Sequence, residues 1–461
     1  MTLLNLIRNL NRSSNFNPLL TNFKKQSFNS FNDSKKLLTT LSASHISIKE
    51  AIDTLSESSP KEYDVCLVFV SRTYELKDIE IIPQYLYSKF KPKFLGGCVV
   101  DKIYNNNNNN NTKNNNGHGI SLLLGNWKNF SGFCTNIKGP KHQFKSNSVG
   151  RWKSLDDIKN DNESFDLFDI NKFKSISSVP NEFDLPEELK ILKNKNINPD
   201  LIFLVSDSEP YQFLESLDHH FPTSKKIGII GTSTPFLTGQ PFSLFHNNNI
   251  FSRGTIGVAL TAESPNEFKN QFQIEHPSLS TIGDPLKITS CRGNIILKLD
   301  GTNPTKLLLD KLQFVDDKNF LSKETELYIG LYNSDNKENQ LDESTLIVYK
   351  ISSGDPVKGN LAVDTMMDLK EGQFVKLFYK KNEPDTILLQ NKLKDQDDET
   401  QIILTMTDQD TMDSTSLLRL NNNKNIFGAT SENGIIIGKG KNENTWVCNV
   451  PYSTASLLLS K

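Results

Sequence analysis

Gly231 is followed directly by three hydroxyl residues, Thr232, Ser233 and Thr234, in the stretch KKIGIIGTSTPFLTG (225–239). Such side chains can donate to a carboxylate or phosphate without contributing charge. They stand where an apolar run gives way to a loop, and in an open α/β sheet ligands bind at the carboxyl ends of strands. The same residues also suit a tight turn, in which the hydroxyls only satisfy backbone groups, and on sequence both roles stand. Nucleotide chemistry does not fit. A phosphate-binding P-loop needs a Gly-Lys-Ser/Thr step, and no lysine follows Gly231 in this loop. GxGxxG is missing, and Pro235 interrupts the helix that a dinucleotide fingerprint would open. Ser233 lacks the closing glycine of a nucleophile elbow, and no His/Asp set accompanies it. A second glycine-bearing strand end, Gly97-Cys98 in KFLGGCVVD (93–101), is the matching point of an earlier half. The expected ligand-binding residues are therefore Gly97, Cys98, Gly231, Thr232, Ser233 and Thr234. Lys225 and Lys226 stand at the far end of the strand, away from a ligand.

The remaining chemistry-bearing residues point away from catalysis and metals. The five cysteines (Cys66, Cys98, Cys134, Cys291, Cys448) show no CxxC or zinc spacing. Their odd number and wide separation suit a reducing compartment. His219 and His220 are adjacent on an expected helix and so point to different faces. Asp284, Asp300 and Asp355 each neighbour Gly or Pro, where turn geometry accounts for them. No cofactor is expected. Net charge is −2, with no basic stripe to suggest a nucleic-acid surface. No apolar run is long enough to span a bilayer.

These residues are carried by alternating strands and helices. YDVCLVFVS (63–71), KFLGGCVVD (93–101) and GISLLLGNW (119–127) read as strands. KDIEIIPQYLYSKF (77–90) reads as a helix that Pro83 kinks or divides. The order repeats in PDLIFLVSD (199–207), the helical EPYQFLESLDHHF (209–221), KKIGIIGTST (225–234) and RGTIGVALTA (253–262). The near-continuous apolar strands suit a sheet covered on both faces. Overlaying the halves sets Asp64 near Asp200 and Gly97 near Gly231, a pseudo-twofold arrangement. A hairpin is expected within 235–252. The Asn-rich run 105–116 cannot bury apolar area and is expected as a disordered loop. The polar stretch 138–195 is expected as an insertion with one or two weak helices. The style changes after 275 to short antiparallel strands around Gly, Asp-Gly and SGDPVKGN turns. The chain is thus expected to be α/β and α+β, with a domain at 43–265 and a second, α+β domain at 275–461.

Residues 1–42 hold six basic residues and one acid, Asp33, with Leu3, Leu4, Ile7 and Leu10 at helical spacing. That composition is expected of a mitochondrial transit peptide, directing the protein to the matrix; the alternative is a disordered tail on a cytoplasmic protein.

Several stretches together resemble the FIST family (F-box and intracellular signal transduction proteins) over most of 45–380. They are LVFVS, LGGCVVD, GTSTPFLTGQPFSLFHNNNIFSRGTIGVAL, GDPLKITSCRGNIILKLDGTNP and ISSGDPVKGNLAVDTMMDLKEGQFVKLF. The resemblance implies a non-enzymatic, two-domain sensor or scaffold that binds small molecules such as amino acids, with a protein partner also open. Relatives carrying an F-box imply a different role, substrate capture for ubiquitin ligation. No F-box precedes the first strand here. The family's cysteine-glycine-arginine-glycine element is missing from the last eighty residues. A third reading, a hydrolase built on the hydroxyl-rich loop, needs a perturbed base beside Ser233.

Overall fold

A computed structural model describes residues 38–57, 62–104, 117–135, 185–262, 272–312, 325–332, 341, 346–355, 357–365, 367–381, 399–408, 425–441 and 443–460. The Asn-rich run 105–116, most of the 138–195 insertion and residues 1–37 lie outside them.

The strands form where apolar, β-branched runs are long enough to be buried on both faces. β2 (Val65–Ser71) and β3 (Phe94–Val100) are buried at every residue and pair in parallel. They are joined by one helix that runs from Leu76 to Phe90 without a break, with Pro83 buried inside it. β7 (Leu201–Ser206) and β8 (Lys225–Ile230) repeat this unit around the helix Tyr211–His220. Both expected strand–helix–strand halves are therefore present. A third parallel pair, β19 (Glu399–Met406) and β20 (Asn425–Ser431), comes from the far end of the chain.

One glycine marks the same register in all three pairs. Gly97 lies opposite Val68, Gly228 opposite Leu204 and Gly428 opposite Ile403. A Cβ at these positions would stand 1.9, 2.1 and 2.6 Å from the partner's carbonyl oxygen. Gly228, and not Gly231, therefore takes the place of Gly97. The sequence overlay slipped because glycine occurs at both positions.

Each parallel pair is flanked by antiparallel strands, and these are exchanged between units. β5 (Ile120–Gly125), β11 (Thr255–Leu260) and β23 (Thr454–Ser460) lie beside β2, β7 and β19 of their own units. On the other side the partner is borrowed. β4 (Lys102–Ile103) joins β20, β9 (Leu244–His246) joins β3, and β21 (Ile435–Gly438), which also pairs with β22 (Trp446–Cys448), joins β8. A second exchange places β6 (Phe130–Cys134) on β11 and β12 (Phe272–Glu275) on β23. β1 (Leu38–Ala43) completes it on β5. Both exchanges close around three units, so the arrangement is a pseudo-threefold one. Its three sheets share a core in which Phe69 stacks on Phe427 at 4.5 Å, with Phe203 6.1 and 6.0 Å from them.

Two expected boundaries shift accordingly. The body starts at Leu38, since β1 is paired along its length. The 275–461 stretch is divided, because its last strands belong to the α/β sheets. What stands apart is a closed six-stranded barrel, β13 (Leu279–Arg292), β14 (Ile295–Leu299), β17 (Asn360–Val363), β16 (Ile347–Asp355), β15 (Leu327–Leu331) and β18 (Phe374–Lys380). Its interior is filled by side chains such as Ile288, Ile296, Ile329, Val363 and Leu377. The expected Asp-Gly turn closes β14, with Asp300 at φ 46° and Gly301 at φ 75°. The expected hairpin is β9 with β10 (Asn249–Phe251).

Candidate functional site

The carboxyl ends of the three second strands meet. Counting from the marker glycines, Val99, Ile230 and Thr430 are equivalent, as are Asp101, Thr232 and Glu432. The Thr232 N–H donates to the Val99 carbonyl at 2.9 Å, and the Asp101 N–H to the Thr430 carbonyl at 3.0 Å. The Ser431 hydroxyl donates to the Ile230 carbonyl at 2.6 Å. Each of the three carbonyls is thus held by a neighbouring unit, and the polar residues that follow them are forced together at one end of the fold.

Asp101 is the centre of this ring and is only 7% exposed. Its Oδ1 accepts from the Thr232 hydroxyl at 3.0 Å and lies 3.2 Å from Arg72 Nη1. Its Oδ2 accepts from the Thr407 hydroxyl at 2.9 Å. A buried carboxylate needs such compensation, and the three donors come from three different units. Arg72 follows β2 and also reaches Glu432 Oε2 through Nη1, at 3.1 Å. Asn433 donates through Nδ2 to the Gly231 carbonyl at 2.8 Å.

The unspent groups face outward. The Arg72 side chain is 46% exposed, and that of Glu432 22%. Both Arg72 contacts use Nη1; Nη2 and Nε make no hydrogen bond among the described residues. Glu432 Oε1 and Asn433 Oδ1 are likewise uncommitted among them. A planar guanidinium with one free edge suits a carboxylate held by two parallel hydrogen bonds. The neighbouring oxygens suit an ammonium or amide. Among the described residues no group of His, Cys, Asp and Glu could hold a metal ion.

The structure brings the two predicted segments together, with different duties. A Cβ on Gly231 would stand 3.6 Å from Cys98 Cβ and 3.5 Å from the Val99 carbonyl, ordinary contacts. The backbone at Gly231 therefore needs no glycine for close approach. Gly97 and Cys98 are buried inside β3, where burial pushes the thiol's pKa up. The Thr232 hydroxyl is spent on Asp101. The Thr234 hydroxyl bonds the Gln240 carbonyl at 3.1 Å and Ser243 at 3.0 Å. The amides of Gly231 and Thr234 are also taken, by the Ser206 and Pro241 carbonyls. Ser233 alone of the trio is exposed. Lys226 is fully buried at the far end. Its Nζ donates to the Phe221 and Ser224 carbonyls and pairs with Asp218 at 2.9 Å.

The histidines that burial perturbs are engaged elsewhere. His276 Nδ1 lies 2.6 Å from the Ser453 hydroxyl, its pKa lowered to about 4 by burial and by the charge of Lys439. His246 is also lowered by burial and packs against Phe94 and Phe251.

Sequence reasoning missed Arg72, Asp101, Thr407, Glu432 and Asn433. A signal was there: GCVVD, GIIGT and GATSE each place a polar residue four positions after the marker glycine. The third of these lies in the segment with the weakest resemblance, so the set was not assembled.

A family model described as the FIST N domain matches residues 64–302, more than half of the chain. No curated protein matches it.

Proposed function

The chain belongs to the FIST family, whose domain serves signal transduction, and from that premise we propose a sensor that binds an amino-acid-like ligand without transforming it. The Arg72 guanidinium carries this reading. It is half-exposed and anchored through one nitrogen, so its free edge is presented in a fixed orientation. A ligand carboxylate pairs with that edge, and its ammonium group lies toward Glu432 Oε1 and Asn433 Oδ1. Ser233 supplies an exposed hydroxyl on the loop that carries Gly231. Thr232 and Thr407 act indirectly, by holding Asp101 so that Asp101 holds Arg72.

Isothermal titration of the purified protein with each proteinogenic amino acid tests the proposal. At least one is expected to bind, and Arg72→Met is expected to weaken it at least about tenfold, the loss of one charge-assisted pair. Circular dichroism checks that the variant retains its fold. Binding that survives Arg72→Met, or a panel without any binder, overturns the assignment.

A further inference from the structure

Thr407 and Asp408 are consecutive residues on the link that leaves β19, and they face different parts of the molecule. Thr407 donates its hydroxyl to Asp101 inside the ring, and its N–H to the Ser431 carbonyl at 2.8 Å. Asp408 holds Lys380 Nζ of the barrel at 2.7 Å, with a carboxylate side chain only 11% exposed. One peptide unit joins the two residues, so a movement of it is felt at both contacts.

Lys380 ends β18, and its ammonium also lies 3.6 Å from Glu326 Oε2, just before β15. Glu326 in turn accepts from the Tyr328 hydroxyl of β15 at 3.0 Å and pairs with Lys350 of β16. Three adjacent barrel strands therefore share one ionic cluster, and that cluster reaches Asp101 through two consecutive residues. Apolar contacts also hold the barrel to the body, through Tyr328, Leu346, Val348 and Phe378. Of these, Leu346, Val348 and Phe378 have no side-chain group that could carry a hydrogen bond to the ring.

We propose that the barrel is the output element of the ring, coupled to it through Thr407 and Asp408. The proposal rests on the ligand-site reading above for its input. A carboxylate on Arg72 competes for the charge that Arg72 shares between Asp101 and Glu432. Asp101 is buried and must then draw more of its compensation from Thr232 and Thr407. The Thr407 peptide shifts, and with it the Asp408 carboxylate that holds Lys380. Coupling between two binding events is reciprocal, so loosening the barrel cluster must also be felt at the ring.

Hydrogen exchange on the full chain tests this without knowledge of the ligand. Arg72→Met is expected to change exchange about fivefold or more in peptides covering 327–331 and 374–380. The barrel strands 295–299 and 360–363 should be unaffected, which separates coupling from general destabilisation. Lys380→Met is expected to change exchange at 99–101 and 430–432. In a Thr407→Val background, Arg72→Met should add nothing at 374–380. Arg72→Lys, which keeps a point charge, is the milder variant should Arg72→Met fold poorly. Barrel exchange unmoved by either Arg72 variant, or moved equally with Thr407 replaced by valine, overturns the proposal. The two readings fail separately. Amino-acid binding lost in Arg72→Met with an unmoved barrel removes the coupling alone. Coupled exchange in a protein that binds no amino acid removes the ligand assignment alone.

Discussion

Gly97 and Gly228 each sit where a side chain would drive into a backbone carbonyl of the neighbouring parallel strand. A buried backbone clash cannot be relieved by a rotamer change, so the strand pair itself must shift. Gly228→Ala and Gly97→Ala are each expected to cost about 1–3 kcal/mol or more. Gly231→Ala meets only ordinary contacts and should leave stability within about 1 kcal/mol. Denaturant midpoints of the three variants check this ordering; equal losses would contradict it. His276 offers a second test at this scale. Burial and the Lys439 charge lower its folded pKa from 6.5 to about 4, so the folded state favours the neutral ring. Its contribution is present above pH 6.5 and is lost as pH falls through about 4. Over that window the wild type should lose about 2–3 kcal/mol more than His276→Gln, read from urea melts at each pH.

Among the elements, the short borrowed strands matter more than their length suggests. β4 has two residues and β9 three, yet they join second strands of different units and cover the edges those strands would expose. The third unit contributes β20 as the partner of β4, β21 as the partner of β8 and β23 as the partner of β12. A chain ending at residue 398 is therefore expected not to reach a native state, although it contains all of residues 64–302, the segment that matches the family. Far-UV circular dichroism and limited proteolysis of that truncation decide the matter. A cooperative thermal transition from it would show that these residues fold without the third unit.

At the scale of the whole molecule, β1 closes the ring of exchanges from the opposite end of the chain. Leu38 and Ala43 are buried, and all six residues of β1 pair with β5. If the basic, acid-poor leader directs import, its removal must therefore fall at or before Leu38. Residues 1–37 fused to a fluorescent protein are expected to carry it into mitochondria, and diffuse cytosolic fluorescence would count against that address. Cleavage beyond Ala43, seen by mass spectrometry of the mature protein, would contradict the structural role of β1.

The apolar runs at 65–71, 94–100, 201–206 and 227–230 were enough to define the first two units and their parallel strands, because burial on both faces leaves no alternating pattern to misread. The Asp-Gly turn and the Asn-bearing hairpin were legible for a similar reason: positive φ restricts the residues that can occupy such turns. The candidate site was not legible in that way. Arg72, Asp101, Thr407 and Glu432 are separated by up to several hundred residues, and each looks like an ordinary polar residue after a strand. The hydroxyls of Thr232 and Thr234 drew attention because they are contiguous, yet they are spent on Asp101 and on Gln240 and Ser243. Sequence determined which segments become strands, since local burial and turn chemistry act on neighbouring residues. Only the tertiary structure decided which strand ends meet, because exchange between units is settled by pairing edges that lie far apart in the chain.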